Sequence, residues 1–232
     1  KNGIGGSFYS SSVTTGDFEN FIVEDLIGYI DSHYRTLAKR ESRGLVGHSM
    51  GGYGAARIGI KRADKFGALY LMSPCCLAPI GSRGLTAEQA ASIEALKSSK
   101  DGMQMDFLLR GTLALAEAWS PNPNKPPLYV DLPVDKDGKD RPEILAKWTA
   151  NAPLAFLDQY IRKVREYSGI AMDVGDRDGL KDETAKLHAE LLAQGVENSF
   201  EVYDGDHTDH VPFRLQDHVL PFFGRHLVGT TK

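Results

Sequence analysis

Cysteine is nearly missing from this 232-residue chain: there are two, Cys75 and Cys76, and they are neighbours. Adjacent cysteines close a disulfide only with strain, so no structural bridge is expected. Without a disulfide framework one sign of secretion is gone, although secretion itself is not excluded. No Cys and His spacing typical of a metal site occurs. Long hydrophobic runs are lacking as well. The longest, at 67–72 and 219–223, fall far short of the roughly 20 residues a membrane-spanning helix needs. No basic cluster stands out and the net charge is −4, so a nucleic-acid surface is not expected. Repeats and low-complexity segments are absent. The opening, Lys1-Asn2-Gly3-Ile4-Gly5-Gly6, is neither a signal peptide nor an initiator methionine, and is read as the result of processing or truncation.

What remains is the composition of a soluble globular protein, 41% hydrophobic and 25% charged, long enough for one large or two small domains. The compartment, cytoplasmic or secreted, is left open. Residues 1–16 read as loop, and Asp17 as the cap of a helix running to about residue 38. Phe18, Ile22, Leu26, Ile30, Tyr34 and Leu37 recur at helical spacing, which predicts a buried face. The apolar stretches 44–48 and 68–73 read as buried strands flanking a helix over 50–61, a β-α-β unit with parallel strands. A different texture follows. Residues 77–150 hold most of the prolines, two helical stretches (about 86–98 and 103–119) and a polar loop at 135–140. That is too long for a simple connection and reads as an inserted cap. A helix over 153–167 leads back to a second alternating run: strand 169–174, helix 183–194 with Gly195 as C-cap, strand 199–203 and a final helix over 210–226. The division expected is 1–76 and 151–232 for the core, with 77–150 as the insertion.

Gly47-His48-Ser49-Met50-Gly51 sits where the first strand meets its helix. The pattern G-x-S-x-G has a steric purpose. The serine occupies a sharp, strained turn, and glycines on either side let the chain pass close to itself. The hydroxyl is lifted clear of the sheet, and the helix N-terminus behind it favours negative charge. With 24 glycines a chance match is easy, but the strand before and the small-residue helix after supply the context the pattern requires.

A serine needs a base to become a nucleophile near neutral pH. Of seven histidines, His33, His188, His218 and His226 fall within predicted helices, and His48, although next to the serine, is expected to point away from it. His207 and His210 lie in the polar loop after the last strand, at the strand ends where parallel sheets collect ligand-facing residues. His207 is favoured, with His210 as the alternative. The orienting acid comes from Asp173-Val174-Gly175-Asp176-Arg177-Asp178-Gly179. Asp173 falls in the strand, Asp178 is favoured and Asp176 is the main alternative. The chain order Ser, Asp, His is that of the α/β-hydrolase fold: a mostly parallel sheet with helices on both faces.

Gly47-His48-Ser49-Met50-Gly51-Gly52-Tyr53-Gly54-Ala55 resembles the elbow of the putative-esterase family that includes S-formylglutathione hydrolase (esterase D) and feruloyl esterases. Gly175-Asp176-Arg177-Asp178 and Tyr203-Asp204-Gly205-Asp206-His207 are similar to its acid and histidine loops, and Leu220-Pro221-Phe222-Phe223 to its closing helix. The resemblance spans roughly 17–75 and 168–225. It implies hydrolysis of a small carboxylic ester, short-chain acyl or aryl, through an acyl-enzyme on Ser49, without cofactor or metal. The Met50 N–H would supply half of the oxyanion hole. Members of this family carry several strands before the elbow strand, and a loop there donates the other half. Here one helix and a loop precede Gly44. The expectation is that the full protein is longer; the alternative is that another copy, as in a homo-oligomer, or another piece supplies those strands. Acyl transfer by the same triad, and a non-catalytic hydrolase-like domain, are the rival readings. The apolar residues Leu108, Leu109, Leu113, Leu115 and Trp119 of the insertion read mainly as an ordinary packed helix, and Cys75 and Cys76 as small buried side chains near the pocket.

Overall fold

A computed structural model describes residues 7–229. The opening residues 1–6, part of the loop expected over 1–16, lie outside the described residues. The chain divides into two compact units. One comprises Val23–Ala78 and the residues from Pro153 onward; the other comprises the residues up to Ile22 and Pro79–Ala152.

The first unit is a four-stranded sheet: β1 (Gly44–His48), β2 (Ala68–Met72), β3 (Gly169–Gly175) and β4 (Ser199–Tyr203), all parallel and in spatial order β1-β2-β3-β4. The register aligns Gly47 with Leu71, Leu71 with Met172, and Met172 with Phe200. Its longer helices are α1 (Ile27–His33), α2 (Met50–Lys61), α3 (Pro153–Val164), α4 (Lys181–Ala193) and α5 (Leu220–His226), and a short helical turn, Val211–Arg214, comes between β4 and α5. Alternation along the strands splits the core in two. Leu69, Leu71, Ile170 and Met172 face Ala55, Ala56 and Ile60 of α2, Phe156, Leu157 and Val164 of α3, and Leu187 and Leu191 of α4. Ala68, Tyr70, Met72 and Ala171 face the other way, onto Val219 and Phe222. With helices on both faces every residue of β2 is buried, which is why its sequence is a continuous apolar run rather than an alternating one. Each fully buried leucine here contributes on the order of 1.5–3 kcal/mol. Gly195, at φ +72°, ends α4, with its N–H on the Leu192 carbonyl.

The N-terminal helix departs from its expected form. Asp17 does cap it, accepting the Asn20 N–H, but the helix ends at His33 rather than near residue 38. The turn Phe21–Leu26 is π-helical. The wider turn breaks the 3.6-residue spacing on which the predicted face depends. Val23 is buried, while Leu26, Tyr34 and Leu37 of that face are exposed. At the sheet edge, Val46 of β1 is 37% exposed.

In the second unit, Thr86 and Gln89 form a capping box at Ala87–Glu94, and the Asp106 carboxylate caps Phe107–Trp119 by accepting the Leu108 and Leu109 N–H groups. A third helix, Pro142–Thr149, was not anticipated from sequence. It is short, it follows a polar loop, and its start is marked only by proline at the first turn. Leu113, Leu115 and Trp119 are buried and Leu108 is exposed, as an ordinary packed helix requires. Trp148 meets Trp119 edge to face at 6.0 Å and donates its indole N–H to Ser120 Oγ at 2.9 Å. Among the described residues no helix is long and apolar enough to cross a membrane.

Glu117 lies inside this unit, 3% exposed, accepting a hydrogen bond from Ser99 Oγ at 2.9 Å. Burial pushes its carboxyl from the ordinary 4.5 up to about 7. The folded state therefore binds this proton more tightly than the unfolded chain. The associated stability is complete below about pH 4.5 and lost as pH rises through about 7. Urea unfolding should show Glu117→Gln removing a fall in stability between about pH 5 and 8 of up to roughly 3 kcal/mol. An unchanged pH profile in the variant would show that the carboxyl is not desolvated.

Candidate active site

β1 ends at His48, and Ser49 turns the chain into α2 with φ +57° and ψ −120°, a left-handed backbone that non-glycine residues rarely adopt. Two close approaches hold it there. A Cβ on Gly47 would stand 2.0 Å from the Gly51 carbonyl oxygen, and one on Gly52 would stand 2.7 Å from Pro74 Cα. Only glycine lets strand, turn and helix pass at these distances. Hydrogen bonds complete the turn: the Ser49 N–H donates to the Met72 carbonyl at 3.0 Å, and the Ser49 carbonyl accepts the Tyr53 N–H at 3.0 Å and the Cys75 N–H at 3.2 Å. Met50 is the first residue of α2, so its N–H belongs to the first turn, where donors lack intrahelical acceptors.

The strand ends bring the other candidates to the same place. His207 Nε2 lies 2.8 Å from Ser49 Oγ, and its Nδ1 lies 2.8 Å from Asp178 Oδ2. An ionised carboxylate only accepts, so Nδ1 carries the hydrogen and Nε2 is left to accept from the serine hydroxyl. The Asp178 side chain is 2% exposed and that of His207 37%. The other oxygen of Asp178 accepts the Leu180 N–H at 2.9 Å, which fixes the carboxylate from the start of α4. Asp176, the alternative acid, turns elsewhere: it accepts the Gly205 N–H at 2.9 Å and pairs with Arg177. Those bonds, with the Gly205 amide foremost, hold its carboxyl below the usual range. Asp176 thus ties the acid loop to the histidine loop. His210, the alternative base, stacks loosely between Tyr203 and Phe213 and makes no contact with Ser49 among the bonds described.

Three contacts escaped the sequence reading. His48 reaches the histidine loop: its Nε2–H donates to the His207 carbonyl at 2.8 Å, and the two rings lie 4.9 Å apart. Strand alternation alone sends residues 48 and 49 to opposite sides, but the loop after β4 has to cross the strand ends to reach Ser49 and lays its backbone over His48. Glu183 on α4 accepts the N–H groups of Cys76, Leu77 and Ala78, clamping the segment after β2. Beneath the loops, buried Asp173 accepts from Tyr70 Oη and Arg214 Nε, each at 2.9 Å, while Arg214 also grips Glu201. No motif announces these partners; only the carboxylate in a predicted buried strand hinted at one. Among the described residues no cluster of three or more His, Cys, Asp or Glu is arranged to hold a metal.

Comparison with known proteins bears on the family and the fold. The profile of the Putative esterase family matches residues 8–218. The chain belongs to this family. Solved structures with the same fold include a ferulic acid esterase (22% identity, TM-score 0.61), which covers 96% of this chain, and of whose length the chain spans 65%. An S-formylglutathione hydrolase from Staphylococcus aureus is 16% identical with TM-score 0.55, over 93% of this chain and 68% of its own. The capsule O-acetyltransferase of Neisseria meningitidis serogroup A is 12% identical with TM-score 0.52, over 94% and 69%. At these identities the likeness establishes the α/β-hydrolase architecture.

The elbow of this esterase-family chain has a direct test. Gly47→Ala should destabilise the protein by at least about 3 kcal/mol in urea unfolding, since the new methyl meets backbone that cannot step aside. A loss below about 1 kcal/mol would mean the strand and helix are not held at this distance.

Proposed function

We propose that this chain hydrolyses carboxylic esters through an acyl-enzyme on Ser49. The observation that carries the reading is the unbroken hydrogen-bonded relay from Asp178 through His207 to Ser49 at the elbow. Ser49 Oγ attacks the ester carbonyl while His207 Nε2 takes its proton. The same nitrogen then returns the proton to the leaving alcohol, and the cycle repeats with water. Asp178, almost wholly buried, holds Nδ1–H and stabilises the imidazolium as it forms. The Met50 N–H, on the dipole of α2, faces the developing oxyanion. Membership of the esterase family supports the ester as substrate, with short-chain acyl and aryl esters the first class to screen.

Transfer of the acyl group to an alcohol would use the same intermediate, and the fold shared with an O-acetyltransferase makes the acceptor worth measuring. Free acid should dominate the products when an alcohol is added, while a dominant new ester would reassign the chain to acyl transfer.

Labelling by a fluorophosphonate, read by intact mass, should give one adduct on the wild type and none on Ser49→Ala, whose ester turnover should fall by on the order of 10⁶. Asp178→Asn should lose roughly 10³–10⁴ in turnover number, and Asp176→Asn less than about tenfold. Equal losses in the two aspartate variants would remove Asp178 from the role given to it.

A further inference from the structure

The segment after β2 carries chemistry that ester hydrolysis does not use. Cys75 and Cys76 are thiols that are only partly buried, rather than the buried side chains expected from sequence. The Cys76 thiol lies on Cys75 Sγ at 2.7 Å, closer than two sulfurs normally rest. Ser73 and Cys76 both hold left-handed backbone, at φ +39° and +61°, so the turn that sets the two sulfurs together is itself strained.

This turn is joined to the nucleophile on one side and to a buried carboxylate on the other. The Cys75 N–H donates to the Ser49 carbonyl at 3.2 Å. Pro74 packs against Gly52 in the first turn of α2, where a single added Cβ would not fit. The Cys76 and Leu77 N–H groups donate to Glu183 at 3.1 and 2.9 Å. Any rearrangement of the Cys75–Cys76 peptide therefore acts on the backbone of Ser49 and the start of α2.

We propose that Cys75 and Cys76 form a thiol–disulfide exchange site for small disulfides, and that its oxidation slows the reaction of Ser49. The second half rests on the function proposed above. One cysteine, as thiolate, attacks a sulfur of the small disulfide, forming a mixed disulfide and releasing one small thiol. The second cysteine attacks the protein-side sulfur and releases the other. Two protein thiols are oxidised to one disulfide, the small disulfide is reduced to two thiols, and the two protons end on those thiols. Adjacent Cα atoms stand about 3.8 Å apart across a trans peptide, below the usual disulfide range of about 4.4–6.8 Å. Closing the ring therefore twists the linking peptide, whose N–H is the one bound to Glu183. A strained, accessible disulfide is also the readily reduced kind, so the modification reverses with a thiol reductant.

The test is to equilibrate the whole chain with glutathione disulfide, then measure intact mass, peptide mapping and the rate of fluorophosphonate labelling, before and after dithiothreitol. The expected result is a mass lower by two hydrogens, a Cys75–Cys76 link, and labelling slowed by roughly tenfold or more, all restored by reductant. A Cys75→Ser/Cys76→Ser variant should label as fast as the dithiol wild type under both conditions. Failure to form the link, a stable mixed disulfide in its place, or a linked protein that labels as fast as the dithiol form would each overturn the proposal. So would slowing in the double variant. Mass reads the disulfide independently of Ser49, and labelling of the reduced wild type tests the esterase reading by itself, so the two failures are distinguishable.

Discussion

The closeness of strand and helix at Gly47 and Gly51 is the constraint from which the rest of the site follows. A backbone oxygen occupies the place where any side chain on residue 47 would begin. Because strand and helix pass at that distance, Ser49 has no relaxed conformation available and takes left-handed backbone. Its N–H binds β2 and its carbonyl binds both α2 and the turn beyond β2, so the strain is distributed into three neighbouring segments. The hydroxyl stands above the strand ends as a geometric result of packing. Burial of β2 on both faces keeps the neighbouring strand in register and the turn cannot relax by sliding.

Loops from β3 and β4 must then meet Ser49 from across the sheet, and polar bonds guide them. Asp176 takes the Gly205 N–H, and Arg177 bridges Asp176, Asp204 and Asp209, so polar bonds tie the acid loop to the histidine loop. His48 holds the His207 backbone from the end of β1. Below them Asp173, Arg214, Glu201 and Tyr70 join β2, β3 and β4 to the C-terminal helical run. Burial pushes the Tyr70 phenol up, so it stays a donor to the Asp173 carboxylate. A buried ion pair of this kind adds little net stability over apolar packing, yet removing one partner strands the other charge.

Much of this was legible in residue order. The elbow could be read because one short pattern stood between an apolar run and a small-residue helix. Asp178 and His207 could be chosen because they follow strands at the distance a turn needs. The N-terminal helix was misjudged at 34–38 because Tyr34 takes extended backbone, and its buried face was misjudged because periodicity assumes an unbroken 3.6-residue turn, which the π-helical turn at Phe21–Leu26 interrupts. The helix Pro142–Thr149 was missed because eight residues carry too little periodic signal beside a polar loop.

The residue string alone determined the alternation of strands and helices, the elbow and the order Ser, Asp, His, since these depend on local sterics and on spacing along the chain. Only the tertiary structure decided that Asp178 faces His207 while Asp176 binds the Gly205 amide, that His48 binds the His207 carbonyl, and that Glu183 clamps the cysteine turn. Those choices turn on distances between segments as many as 159 residues apart. At such separations neighbouring carboxylates look alike in sequence, and they differ only in which buried donors the folded chain places in front of them.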